Sequence, residues 1–159
     1  MTTYASNTTV DSSRSRAEIE RTLIRYGASG FMYGWDETQA VVGFIYKDRQ
    51  VRFVLPLPDR KSKDFTHTVD HSRVRTATQQ TARYEQAVRQ RWRALALVVK
   101  AKLEAVEAGI VSFDQEFAMH FVLPNGQTVA EWVLPTIATS YELGQVPRLA
   151  LPESKGDNK

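Results

Sequence analysis

Two histidines stand four residues apart, His67 and His71, in the segment DFTHTVDH, with Asp64 and Asp70 beside them. On a helix that spacing would set both imidazoles on one face, where a carboxylate could join them as a third ligand to Zn²⁺. The segment lacks the glutamate that follows the first histidine in H-E-x-x-H, and its surroundings have no amphipathic helical period. A solvated loop is the expectation, and no metal is assigned. His120 sits among Phe117, Met119 and Phe121, a setting for a half-buried, satisfied imidazole rather than a general base. The carboxylate pairs Asp36–Glu37 and Asp114–Glu116 fall at a hairpin tip and a helix start, where acids serve turns and helix dipoles. The eight glycines are scattered among turns and form no phosphate-cradling loop, and no G-x-S-x-G elbow occurs. The expectation is a protein that is not an enzyme and carries no cofactor.

Anion binding is the chemistry that the residue order concentrates. The net charge is only +3, but Lys47 to Leu103 holds fourteen Lys or Arg against five acids, whereas Glu104 to Pro147 holds six acids and no Lys or Arg. Arg49, Arg52, Lys61, Lys63, Arg73, Arg75, Arg89, Arg93 and Lys100 are the candidates for one electropositive surface. Such a surface neutralises the phosphates of nucleic acid with little reading of bases. Two other readings stay open. The basic half can pair within the chain with Asp114, Glu116 and Glu131, or the basic half of one copy can meet the acidic half of another in a homo-oligomer. An inhibitor of a host protein is a further form of the interaction reading. Phe31, Tyr33 and Trp35, at period two, could stack bases, but the same pattern is what a sheet needs to pack on a helix, and core is the stronger expectation.

The elements that must position these groups follow from periodicity. Ser15-Arg16-Ala17-Glu18 is a capping box followed by Ile19, Leu23 and Tyr26 at helical spacing and closed by Gly27, which predicts a helix of about three turns. FMYGW, AVVGFIY and VRFVLP predict a three-stranded antiparallel meander whose links, DETQ and KDRQ, have hairpin length. Pro56 and Pro58 end the third strand. Residues 59–75 are polar and aperiodic and predict a long loop. From about Thr76 to Ala108 no Pro or Gly interrupts a helix that Gly109 should stop. Its Tyr84, Val88, Trp92, Leu95, Val99, Leu103, Val106 and Ile110 fall within an arc of about 100° and are expected to be core, and its outer face is expected to be basic. Ser112-x-x-Gln115 and Thr128-x-x-Glu131 are two more capping boxes. Phe113, Phe117 and Phe121 share a helical period, Pro135 should break or kink the last helix, and Gly144 should end it.

At 159 residues the chain has the size of one domain with a proper core. Residues 1–13 are expected to be a flexible lead-in, 14–150 a single α+β domain, and 151–159 a frayed tail. The absence of cysteine excludes disulfides and thiolate chemistry and fits a reducing compartment. No run reaches the ~20 apolar residues of a membrane span, and the first residues lack the pattern of a signal peptide. The cytoplasm is therefore the expected location.

The stretches EIERTLIRYGASGFMYGW, VRFVLPLP and YEQAVRQRWRALALVVKAKLEAVEAGIVSFDQEFAMHFVLPNGQTVAEWVLP resemble a family of small uncharacterised proteins encoded by bacteriophages and prophages. The resemblance covers about residues 14–143. It implies a bacterial host cytoplasm and a DNA-handling accessory or an inhibitor of a host protein, and it supplies no site residues, because no activity is established for that family. The order helix, meander, long helix is also similar to the core of phage single-strand annealing proteins. Double-stranded RNA-binding domains share the α-β-β-β-α order, although the long second helix here exceeds theirs and their basic helix-start lysine cluster is missing. The combined expectation is a non-enzymatic phage-type accessory protein that binds nucleic acid through a basic surface, with a protein-interaction module as the alternative.

Overall fold

The computed structural model describes residues 3–149. Helix α1 (Thr3–Arg25) is followed by strands β1 (Ser29–Trp35), β2 (Gln39–Tyr46) and β3 (Arg49–Pro56). A one-turn helix α2 (Lys63–Thr66) leads to the long helix α3 (Ala77–Glu107), and α4 (Phe113–Phe117), a 3₁₀ turn (Ala118–His120) and α5 (Val129–Leu143) complete the α+β fold. The expected tail, 151–159, lies outside the described residues.

The strands form one antiparallel sheet in the order β1-β2-β3, because each link is too short for anything but a hairpin. At the first link the Asp36 carboxylate accepts hydrogen bonds from the N–H groups of Thr38 and Gln39 and from the Thr38 hydroxyl, at 2.7–2.9 Å. These bonds hold the Asp36 pKa below its ordinary value. Strand periodicity sends Ala40, Val42 and Phe44 of β2, with Val51 and Phe53 of β3, into the core. Against them lies the stripe of α3, with Tyr84, Val88, Trp92, Leu95, Val99 and Leu103 all buried. Each such side chain removed from water contributes about 1.5–3 kcal/mol. A capping box of Thr76 and Gln79 starts α3, and Gly109, at φ +73°, allows the chain to leave it.

Five expectations are corrected. The Ser15 box does not begin a helix. Helix α1 starts at Thr3, so residues 3–13 are helical rather than a loose lead-in. That segment contains no Gly or Pro to stop a helix, and Ser12 and Arg16 are buried at 6% and 9% exposure, so tertiary packing overrides the local capping preference. Residues 59–75 are ordered by α2, by a β-bridge between His67 and Val74, and by Asp70. Ile110, expected in the buried stripe, lies past the end of α3 and is 76% exposed, because the chain has already turned at Gly109. Phe121 leaves the helical period and pairs with Val51, while the Val122 N–H donates to the Gln50 carbonyl, which adds a short strand at the β3 edge. Pro135 does not break α5, which runs on to Gly144 in a left-handed cap, although Pro135 has no N–H to give to the carbonyl of Glu131.

Tyr33 meets Trp92 edge to face, with ring centroids 6.5 Å apart, and stacks on Trp35 at 5.5 Å. Core is the expectation for these aromatics, but Phe31 is only partly buried and Tyr33 and Trp35 remain 37% and 54% exposed, at the margin of the core. Arg16 completes the group, its guanidinium 4.1 Å from the Tyr33 ring centroid, a cation–π contact of about 0.5–2 kcal/mol. Nothing in the spacing of residues 12–16 announces this arginine, whose partner lies on a different element. The opposite face of the sheet is bare, with Met32, Ile45 and Val54 exposed.

Candidate nucleic-acid interface

The structure separates the nine candidate cations into groups with different surroundings. Arg49 pairs with Asp48 at 2.9 Å and with Asp114 at 3.6 Å, and Arg52 pairs with Glu131 at 3.1 Å. Lys102, outside the candidate set, reaches Glu116 at 2.8 Å and also donates to the Glu116 carbonyl. The three acids expected as internal partners, Asp114, Glu116 and Glu131, thus each hold one cation of the basic half. Arg49 and Arg52 tie the sheet to α4 and α5. Their charge is neutralised locally, and they are withdrawn from the phosphate-binding set.

Lys61 and Lys63 are exposed or partly exposed beside α2, whose turn is capped by the Ser62 hydroxyl accepting from the Asp64 N–H. The segment 58–65 lies against α3, with Asp59, Ser62 and Phe65 across a groove from Ala87, Gln90 and Arg91. Phe65 anchors it edge to face on Tyr84. The chain then turns around Asp70, whose carboxylate accepts from the Thr68 and Ser72 hydroxyls and the Ser72 N–H. These bonds lower the Asp70 pKa to about 2. Arg73 is exposed just beyond this turn. Arg75, half-buried, gives its N–H to the Thr66 carbonyl, and its Nε is enclosed without a partner.

Arg89, Arg93 and Lys100 fall within an arc of about 40° on α3 at about 100° per residue. They lie on the flank turned toward α1, where Arg25 reaches Glu104 at 3.6 Å. Arg93 and Lys100 are exposed and Arg89 is partly covered. The loop occupies the other flank. The single basic surface expected from the residue order is therefore two cationic ridges, and between them the C-terminal half of α3 shows an apolar strip, with Leu97 56% and Val98 45% exposed. Among the described residues Lys61, Lys63, Arg73, Arg75, Arg93 and Lys100 make no ion pair. Arg83, exposed on α3, is a further unpaired cation that belongs with them. It lies in the same basic run and carries no other signal.

His67 Nδ1 contacts the Thr66 hydroxyl at 2.9 Å, His71 stands at φ +58° on the exposed turn, and no metal-binding group of three or more side chains occurs among the described residues. His120 is half-buried and stacks on Phe53 at 4.1 Å. No helix among the described residues is long and apolar enough to cross a membrane. Compared with known proteins, the chain matches no family model, no curated protein and no solved structure.

Proposed function

We propose that this protein is a non-enzymatic accessory protein of phage type that works in a bacterial cytoplasm and binds nucleic acid through phosphate contacts. The contacts come from the two ridges flanking α3, Lys61, Lys63 and Arg73 on one side and Arg89, Arg93 and Lys100 on the other, with Arg75 at their N-terminal end. The observation that carries this reading is the charge left over. Internal ion pairs consume Arg49, Arg52 and Lys102, yet six of the candidate cations, Lys61, Lys63, Arg73, Arg75, Arg93 and Lys100, make no ion pair among the described residues. Unpaired cations along one helix and its loop form a field that attracts a polyanion.

The test is the Arg93→Glu/Lys100→Glu double variant, titrated by fluorescence anisotropy against duplex and single-stranded oligonucleotides of unrelated sequence over a range of salt. Binding should weaken for every sequence, and the slope of log K against log salt should fall by about 2, since each lost phosphate contact removes roughly 0.9. Arg52→Gln should leave that slope unchanged. Wild-type affinity and slope in the double variant would remove α3 from the interface.

A further inference from the structure

Helix α5 ends the described fold with none of its fifteen residues buried. Leu134, Ile137 and Tyr141, at i, i+3 and i+7, are 53%, 37% and 87% exposed, so they form an apolar stripe with no cover among the described residues. Within the chain α5 packs against the Ala118–His120 turn, and Glu131 ties its first turn to Arg52. A helix of this length with an internal proline is marginal by itself in water. Its stripe needs a surface.

A matching surface is on α3. Ala94, Leu97 and Ala101 share a face at helical spacing and Val98 borders them, all exposed. Small residues around a leucine let a second helix approach closely. Charge selects the partner. Arg93 and Lys100 edge the α3 strip, Glu142 edges the α5 stripe, and Glu104 to Pro147 contains no Lys or Arg to oppose them.

We infer that α5 of one copy docks on the exposed face of α3 of a second copy, the two copies exchanging helices reciprocally in a two-fold dimer. Reciprocal exchange closes the assembly, because each copy gives one stripe and receives one, whereas a one-way contact would leave open ends and grow. The surface goes beyond the phosphate-binding reading and is tested without nucleic acid.

The chain has no cysteine, so single-cysteine variants report proximity directly. Leu97→Cys and Tyr141→Cys proteins, mixed and mildly oxidised, should give a disulfide-linked dimer at least about ten times more abundant than either variant gives alone, because thiols bridge only when their Cα atoms come within about 7 Å. By light scattering the wild type should show one species of about twice the 18.0 kDa chain mass, and Ile137→Glu or Leu97→Glu, both at exposed positions, should halve it. Circular dichroism confirms that these variants keep their helices. A wild-type monomer, a ladder of larger species, or disulfides no more abundant in the mixture than in the single variants would overturn the proposal.

Discussion

At the level of single residues, His120 is a group whose protonation bears on the fold between about pH 7.5 and about pH 5. Its ring lies on Phe53, and burial, assisted by the Lys102 ammonium, pushes its pKa below the ordinary 6.5, while the Arg52 backbone and Glu116 pull the other way. A histidine whose folded pKa is depressed contributes stability that is complete above the unfolded value and is lost as pH falls through the folded one. The melting temperature should therefore drop on going from about pH 7.5 to about pH 5, and His120→Phe, which keeps a ring against Phe53, should flatten that drop. Parallel melting curves for the two proteins would assign the acid sensitivity elsewhere. Spacing placed this imidazole among aromatics, and that much was legible. The identity of its stacking partner was not, because Phe53 is far away in sequence and the pairing of Phe121 and Val122 with the β3 edge brings the two together.

Among the elements, α5 is held by one carboxylate with two tasks. A single Glu131 oxygen accepts from the Thr128 N–H at 2.6 Å and the Thr128 hydroxyl at 3.0 Å, and it also receives Arg52 at 3.1 Å. Glu131→Ala should remove a cap contribution of about 1 kcal/mol together with the tether to β3. Hydrogen exchange should then quicken in the first turns of α5 while α3 amides stay protected; uniform protection across both helices would show that the 118–120 turn alone holds α5. The elements themselves were readable wherever a local signal governs them. The Thr76 start and Gly109 stop of α3, the meander and the Ser112 and Thr128 boxes stand where caps and period two place them. Signals failed where distant contacts decide. Burial of Ser12 and Arg16 carries α1 past a sound capping box, and Leu97 and Val98 stand exposed on a face expected to be basic, because hydrophobic period alone does not say which of two stripes a helix buries.

Across the whole molecule the same helix serves both proposals. Arg93 and Lys100 are counted among the proposed phosphate contacts and also border the strip proposed to receive α5, so on these two proposals nucleic acid and a second copy would compete for α3. Competition of this kind is reciprocal. Adding a short duplex should lower the yield of the disulfide between the Leu97→Cys and Tyr141→Cys proteins, and raising salt should restore it; a yield indifferent to duplex would mean that the two partners use separate parts of α3. The charge asymmetry was visible in the residue order, but its division was not. Among the described residues Arg49, Arg52 and Lys102 of the basic half are taken up by Asp114, Glu131 and Glu116, a choice that depends on how β3 and α3 meet α4 and α5.

The sheet has a vulnerable margin as well. Strand β1 lies at one edge, and its outward N–H and C=O groups could template a further strand from another molecule, the usual beginning of fibrillar growth. The irregular register between Ser29 and Phe31, with Gly30 at φ +62°, interrupts that margin near its start. A straight incoming strand meets a kinked ladder there and can pair only with the remainder. The bulge thus acts as a gatekeeper against runaway association through the sheet and leaves the helices as the surfaces through which copies can meet in an orderly way.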